Sequence, residues 1–341
     1  MKKYLLPQEG SFYKANLHTH TNITDGDLSP EEVKALYKAH GYSVVAYTDH
    51  DMMIPHHDLS DDDFLALTGF EVAFNEGNLY PAKMESKCCH LCMIALSPDT
   101  KEQPCWNPKY AYLGHAKEHH GEVCFDKSKP FFDRDYTHES VNEMIRKCRD
   151  AGFFVTYNHP TWSFEDFRQY SGYEGMHAME IYNHDAEVYG YPAYVPQIYD
   201  DLLRLGKRIY PVAADDNHNR FPDGHPKCDS CGGFVMIKAR ELAYRPIMDS
   251  LFRGDFYAST GPLIHELYFE NGQVHVKCSP AMRVSFSMDR RRFLSAYGEN
   301  GEPLTEATFA LDPDAIYFRI TVRDEHGHYA NTRAYFLDEL N

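Results

Sequence analysis

Short apolar runs recur along the chain as far as residue 240, and the stretches between them space their apolar residues as amphipathic helices do. This alternation is typical of repeated strand–helix units. Because two strands joined by a helix usually pair in parallel, the pattern predicts an α/β fold. The candidate strands are 12–17, 42–48, 64–68, 88–95, 152–157, 177–182, 208–214 and 232–238.

Helix boundaries are marked by capping residues between these strands. Ser29-Pro30-Glu31-Glu32 combines an N-cap serine, a proline at the first helical position and a glutamate three residues after the cap, which is the signature of a capped helix start. Thr137 is predicted to open a second helix that Gly152 closes, and a third helix is predicted to end at Gly206.

The pattern changes beyond Gly261-Pro262. Residues 283–288 and 318–323 alternate strictly between apolar and polar side chains, which predicts a half-buried antiparallel sheet. The sequence therefore predicts a main domain over 1–265 and a β-rich module over 266–341. A module of this size is small for an independent core, so we expect it to dock on the main domain.

Residues 97–136 form an insertion that is rich in proline and aromatic residues. A segment of this length is unusual in a compact domain unless it serves as a lid or carries its own small elements. We expect it to serve as a lid over the functional site, with Trp106 and several tyrosines placed to pack on a substrate.

Composition narrows the classes of function. The 341 residues contain 34 Lys and Arg against 51 Asp and Glu, a formal charge of −17. That charge repels polyphosphate backbones and anionic membrane surfaces, so neither a long nucleic acid nor a membrane is an expected partner. No stretch approaches the ~18 apolar residues of a membrane span. Nine cysteines are an odd and sparse set, which indicates reduced thiols and a cytoplasmic location. The oligomeric state is left open.

The chain has 20 histidines, and several recur with carboxylates where candidate strands end. In parallel barrels, functional groups collect at the carboxyl ends of the strands. Burying so many polar groups without partners would cost several kcal/mol per group, and metal binding removes that cost. Imidazole and carboxylate without thiolate suit zinc, manganese or iron. The candidate ligands are His18, His20, Asp25, His50, Glu71, His90, His159, Asp216 and His218; only His90 lies within a predicted strand rather than at its end.

These motifs, in this order, resemble those of the PHP (polymerase and histidinol phosphatase) metallohydrolases. The resemblance spans about residues 12 to 265 and includes Thr48-Asp49-His50, Asn158-His159-Pro160 and the Gly254–Pro262 segment. It implies a distorted (β/α)7 barrel with three divalent metal ions. It also implies three ligand sets: His18, His20, Glu71 and Asp216 for one ion; Glu71, His90 and His159 for the second; Asp25, His50 and His218 for the third.

The implied charges predict the substrate. Three divalent ions bring +6 and three carboxylates bring −3, so the pocket would be positive inside an acidic protein. The expected activity is a phosphoesterase that cleaves a small phosphorylated molecule with a metal-bridging hydroxide. Arg220 is either a phosphate clamp or an exposed loop arginine. His184 is either the group that protonates the leaving group or a surface histidine.

Two alternatives remain at this point. The same nucleophile would attack a carboxyl ester or an amide, and the fold could also be a non-catalytic metal-binding module. Cys228-x-x-Cys231 is interpreted as structural, because its only partner pair, Cys89 and Cys92, lies in a predicted strand on opposite faces.

Overall fold

All eight predicted strands are present in the computed structural model, which describes residues 2–83 and 85–340. The strands of the main domain are β1 Lys2–Tyr4, β2 Ser11–Asn16, β3 Val44–Tyr47, β4 Leu65–Asn75, β5 Cys88–Ala95, β6 Phe153–Tyr157, β7 Ala178–Asn183, β8 Tyr210–Ala214, β9 Phe234–Ala239 and β10 Phe256–Ser259. The later strands are β11 Ile264–Glu270, β12 Gln273–Ala281, β13 Arg283–Met288, β14 Leu294–Tyr297, β15 Leu304–Ala310, β16 Tyr317–Arg323, β17 Tyr329–Thr332 and β18 Tyr335–Phe336. The helices are α1 Pro30–Ala39, α2 Ala116–His119, α3 His138–Asp150, α4 Phe167–Tyr170, α5 His184–Val188, α6 Pro196–Arg204 and α7 Tyr244–Arg253.

The capping signals act as predicted. Ser29 Oγ accepts the N–H of Glu32 at 3.3 Å, and the Glu32 carboxylate accepts the N–H of Ser29 at 2.8 Å. Thr137 Oγ1 caps α3 by accepting the N–H of Ser140. Gly152 follows α3 with a φ of +84°, a conformation that favours glycine. Gly206 likewise follows α6 with a φ of +85°, so all four helix termini considered in the sequence are marked by local residues.

One long sheet runs in the order β14-β13-β16-β17-β10-β9-β2-β3-β4-β5-β6-β7-β8. The pairs β2–β3, β3–β4, β6–β7 and β7–β8 are parallel, as the sequence predicts. The expectation of parallel pairing is wrong for β5, which is antiparallel to both β4 and β6, and for β9, which is antiparallel to β2 and β10. The described residues between β4 and β5, 76–83 and 85–87, form no α-helix, and the chain turns back instead of crossing over.

The two ends of the β2–β8 run approach each other just after those strands. Thr19 and Asn217 form an isolated parallel bridge. The N–H of Asp216 donates to the His18 carbonyl at 3.0 Å, and the N–H of His20 donates to the Asn217 carbonyl at 3.1 Å. The segments that follow β2 and β8 are therefore neighbours.

The strands after β10 are antiparallel, as predicted, and they are divided between two sheets. β11, β12 and β15 form a small antiparallel sheet with β1 in the order β1-β11-β12-β15. β17 instead pairs with β10 and carries β16 and β13 onto the long sheet. The buried guanidinium of Arg319 on β16 binds Asp200 on α6 at 2.8 and 3.0 Å.

The core lies around the central strands. All eight residues of β5 and all five of β6 are buried, and α3 covers them with the buried side chains of Val141, Met144, Ile145 and Cys148. Among residues 2–83 and 85–340, no helix combines the length and the apolar character that crossing a membrane requires.

The 97–136 segment packs as a small unit of its own. Trp106 is only 5% exposed and lies in a cluster with Ile23, Met52, Ala111 and Val123. The expectation that Trp106 would be free to pack on a substrate is therefore wrong, because its ring is used to hold this segment against residues 23 and 52.

Candidate metal centre

The nine predicted ligands converge at one pole of the strands. Three overlapping groups contain all nine, with the ligand atoms of each group within 4.8 Å of one another. Glu71 lies within β4, not after it, because that strand continues to Asn75. His90 is the third residue of β5. Since β5 runs in the opposite direction, its beginning lies where the neighbouring strands end, and His90 reaches the same pole as the other ligands.

Glu71 lies at the centre of the cluster and is fully buried. Five imidazole nitrogens surround its carboxylate at 3.0 to 3.6 Å: His50 Nδ1, His18 Nε2, His90 Nδ1, His159 Nε2 and His20 Nε2. A single carboxylate shared by so many nitrogen atoms is suited to bridge two cations.

The first donor group has distances that fit a metal ion. His18 Nε2 and His20 Nε2 face each other at 3.1 Å. Asp216 Oδ1 lies 2.9 Å from the His20 nitrogen and 3.1 Å from the His18 nitrogen. Ligands bound tetrahedrally to zinc at about 2.0–2.1 Å are about 3.3 Å apart. These three atoms and one oxygen of the Glu71 carboxylate are therefore spaced as the four ligands of one ion.

Unsatisfied polar atoms provide a second test of this fit. His20 Nδ1, Asp25 Oδ1 and Glu71 Oε2 are buried without a hydrogen-bond partner among the described groups. Glu71 Oε2 lies 3.0 Å from His50 Nδ1, but the two are not aligned as donor and acceptor. Since a buried unpaired polar atom costs about 1–3 kcal/mol, the cluster is better satisfied around cations than alone.

Two further groups match the ligand sets implied by the sequence resemblance. Glu71, His90 and His159 form one, and Asp25, His50 and His218 form the other. His20 also lies in the group of Asp25, His50 and His218, although the resemblance assigns His20 only to the first ion. Its ring stacks on those of His50 and His218, with centroids 4.1 and 4.5 Å away.

The electrostatics of the cluster separate neutral from protonated imidazoles. Burial, together with His50 and His218, lowers the pKa of His20 to about 3, so its ring is neutral. Burial also lowers the pKa of His218, but its hydrogen-bonded partner Asp25 outweighs this and raises that pKa to about 10. Because a ligating imidazole must lose its proton, metal and protons compete for His218.

A carboxylate that the sequence did not indicate holds two of the ligands. Glu180 Oε1 lies 2.7 Å from His18 Nδ1, and Glu180 Oε2 accepts the N–H of His159 at 2.9 Å. Carboxylates commonly orient metal-binding imidazoles in this way. Asn158 similarly donates to Glu71 Oε1 at 2.7 Å. Glu180 was not predicted because it lies inside an apolar strand. The one sequence signal for it was a polar residue between Met179 and Ile181.

Two more aspartates lie beside His218. Asp229 accepts the backbone N–H groups of His218 at 2.8 Å and of Asn219 at 3.1 Å, so it fixes the ligand loop. Burial and the nearby Asp216 raise the pKa of Asp185 to about 8. Asp185 directly follows His184, and that adjacency was the only sequence signal for it.

The two residues predicted to act on substrate lie in different surroundings. Arg220 is half-exposed, with Nη2 3.8 Å from Asp25 Oδ2, at the edge of the cluster. His184 Nδ1 lies 2.8 Å from the Tyr182 hydroxyl, and its ring packs on Gly232. Within the described residues, no hydrogen bond or ion pair joins His184 to the nine candidate ligands.

An aromatic residue missed in the sequence borders the cluster. The ring of Trp162 lies 5.0 Å from that of His159 and 5.4 Å from that of His90. None of the metal-binding groups found in the described part of the chain includes a cysteine, and the nine cysteines are free thiols.

No family model and no curated protein matches the chain. A two-domain protein from Bacteroides vulgatus ATCC 8482, for which a PHP-like metal-dependent phosphoesterase is predicted, is 13% identical over 98% of this chain and 98% of its own, with a TM-score of 0.45. A protein from Bifidobacterium adolescentis ATCC 15703, provisionally named a metal-dependent phosphoesterase, is 16% identical over 64% of this chain and 91% of its own, with a TM-score of 0.39.

An amidohydrolase from Chromobacterium violaceum, with sulfate bound and no metal, is 15% identical over 71% of this chain and 96% of its own, with a TM-score of 0.36. Since all three TM-scores lie below 0.5, the assignment of the site rests on its own side chains.

Proposed function

We propose that the protein is a metal-dependent hydrolase that cleaves an ester bond in a small phosphorylated molecule. The observation that carries the proposal is the buried Glu71 carboxylate with five imidazole nitrogens within 3.6 Å. A structural core has no need for such a cluster, because each of these groups would be better solvated at the surface.

The residues fit three divalent ions, and zinc, manganese and iron are the candidates that match the donor chemistry. His18, His20, Glu71 and Asp216 would hold one ion; Glu71, His90 and His159 a second; Asp25, His50 and His218 a third. When bound, such ions supply Lewis acidity, which lowers the pKa of water toward ~7 and neutralises charge on the ester oxygens.

The protein's own residues orient the ligands and attract the substrate. Glu180 accepts the Nδ1 proton of His18, which leaves Nε2 of that ring free to face Asp216 and Glu71. Arg220, at the edge of the cluster, carries a guanidinium that can bind two phosphate oxygens at once. Its exposure suits a group that meets a substrate entering from solvent.

A panel of model esters tests the proposal. A phosphomonoester, a phosphodiester and a carboxyl ester are offered to the protein after loading with manganese, zinc or iron, with chelator-treated protein as the blank. We expect the phosphate esters to be hydrolysed. The control variant His326→Ala changes an exposed residue in the turn between β16 and β17 and should behave as wild type. Turnover of the carboxyl ester alone would replace the proposal with the alternative hydrolase. No turnover with any metal would favour a non-catalytic metal-binding module.

We also infer that β2 to β8 form a closed, distorted seven-stranded barrel. The Thr19–Asn217 bridge and the hydrogen bonds of His20 and Asp216 support closure next to the metal cluster. Closure would explain why ligands from the first and last strands of the run lie within 3.1 Å of each other.

A further inference from the structure

The 97–136 segment contacts three loops that carry candidate ligands. These are the loops of Asp25, His50 and His159. Each contact is made through buried or tightly fitted groups, which is unexpected for a cover that opens and closes.

The first contact is with the Asp25 loop. The N–H of His115 donates to the Thr24 carbonyl at 2.9 Å. A Cβ at Gly114, whose φ is +50°, would lie 1.7 Å from the Thr24 carbonyl oxygen and 2.8 Å from Asp25 Cα. Only glycine therefore permits this approach, and the segment is seated directly against the backbone of a candidate ligand.

The second contact fixes the residues that follow His50. Gln103 is 2% exposed; its Nε2 donates to the Asp51 carbonyl at 2.9 Å, and its Oε1 accepts the N–H of Met53 at 2.8 Å. Arg134 is 3% exposed and forms an ion pair with the Asp51 carboxylate, while its Nη1 donates to the Ala73 carbonyl at 3.1 Å. One side chain thus joins the loop after His50 to β4, the strand of Glu71.

Asp51 explains why this loop needs support. Its φ is +59°, a left-handed conformation that is unfavourable for a residue with a side chain. The surrounding contacts compensate for that conformation, and the N–H of Asp51 donates to the Glu71 carbonyl at 2.6 Å.

The third contact is with the His159 loop. The Tyr136 hydroxyl donates to Glu165 Oε1 at 2.7 Å, and the Tyr157 hydroxyl donates to Glu165 Oε2 at 2.6 Å. Glu165 is 7% exposed and closes the loop that begins at His159. The end of the segment is therefore tied to a third ligand loop through a buried carboxylate.

We propose that residues 97–136 act as a fixed clamp, not as a mobile lid, and that Gln103 and Arg134 are positioning residues that hold the His50 loop for metal binding. The second half of this proposal rests on the proposed metal-dependent function. The clamp itself concerns only the protein and can be tested without any reaction.

Hydrogen–deuterium exchange tests the clamp. Peptides covering residues 101–116 should exchange slowly in metal-free protein and should be unchanged by zinc with inorganic phosphate. Fast exchange that slows when zinc and phosphate are added would identify a lid and overturn the proposal. This readout decides between clamp and lid even if the protein hydrolyses no phosphate ester.

Zinc affinity tests the positioning role. Arg134→Gln and Gln103→Leu are compared with wild type by competition against a chromogenic chelator, and with cobalt by its visible absorption spectrum. Loss of a group that orients ligands lowers metal affinity by about 10- to 100-fold, so we expect a loss in that range and an altered cobalt spectrum. Arg134→Lys, which keeps the charge opposite Asp51, should recover part of the affinity. Lys129→Ala, in the same segment but with an exposed side chain beside Asp126, is the matched control.

Arg134→Gln leaves a buried carboxylate unpaired and therefore risks misfolding. The double variant Asp51→Asn with Arg134→Gln removes both charges, and Gln103→Leu changes none, so these two carry the test if the single variant does not fold. Wild-type zinc affinity and an unchanged cobalt spectrum in Gln103→Leu would overturn the positioning role. If wild type itself binds no metal, the proposed function fails, while the exchange experiment still decides whether the segment is a clamp.

Discussion

The replacement Glu71→Gln is the sharpest test of the metal centre. It keeps the shape of the side chain and removes a negative charge that lies within 3.6 Å of five imidazole nitrogens. Two of the three proposed ion sites include a Glu71 oxygen, whereas the group of Asp25, His50 and His218 does not. The expected effect is therefore selective and not a general loss of metal.

The size of the effect follows from the position of Glu71. Residues that only orient a ligand change metal affinity by about 10- to 100-fold, so a buried carboxylate that bridges two ions should exceed the upper value. A loss of at least about 100-fold for each of two ions corresponds to about 2.7 kcal/mol per ion. Elemental analysis after gel filtration should show three ions per chain in wild type and one in Glu71→Gln.

The reciprocal variant and a matched control make the result decisive. Asp25→Asn should remove only the third ion and leave two. Glu306→Gln, the same chemical change on the exposed face of β15, should leave all three. Unchanged stoichiometry in Glu71→Gln, or an equal loss of every ion in both ligand variants, would refute the ligand sets proposed here.

Three further predictions concern other parts of the molecule. Arg220→Ala should raise KM for a phosphomonoester by about tenfold, the effect of losing one charged hydrogen bond, with metal content unchanged; lost metal would instead make it a structural residue. Burial lowers the pKa of His177 to about 4, and its Nδ1 accepts the N–H of Val155 at 3.0 Å. In the unfolded chain the imidazole of His177 binds a proton below pH ~6.5, whereas in the folded chain it stays neutral down to about pH 4. The free energy of unfolding therefore decreases as the pH falls. From pH 7 to pH 5 the unfolding free energy should drop about 2 kcal/mol more than in His177→Asn, and a pH-independent difference in urea titrations would contradict this. Arg319→Leu leaves Asp200 unpaired beside α6 and should destabilise the protein by about 3 kcal/mol with no change in metal content; a Tm equal to that of wild type would show that the pair contributes nothing.

Features set by neighbouring residues were predictable from the sequence. The α1 start at Ser29 depends on a hydrogen bond to Glu32, and both residues are visible in four letters of sequence. The strands were found because burial on both faces leaves continuous apolar runs, as in β5 and β6. The candidate ligands were found because strand ends collect functional groups at one pole.

Features set by distant residues were not predictable. Glu180 reads as one polar residue in an apolar strand, and its partners His18 and His159 lie 162 and 21 residues away in sequence. The aromatic character of Trp106 predicted a ring that packs on substrate. In the structure the ring instead packs on Ile23 and Met52. In each case the deciding neighbour comes from another part of the chain.

The reversed direction of β5 determines where the 97–136 segment begins. A strand of eight residues spans about 26 Å, and β5 runs away from the metal cluster: His90 lies beside Asn158 after β6, whereas Ala95 lies beside Phe153 at its start. Because Ala95 pairs with Phe153, a short hairpin could join these antiparallel strands directly, but the chain first returns to the cluster pole and then enters α3 and β6. Residues 97–136 make that return, and they pass the Asp25 and His50 loops on the way. Strand pairing alone therefore does not require so long a connection, and the buried contacts of Gln103 and Arg134 give it a structural role as support for the candidate ligand loops.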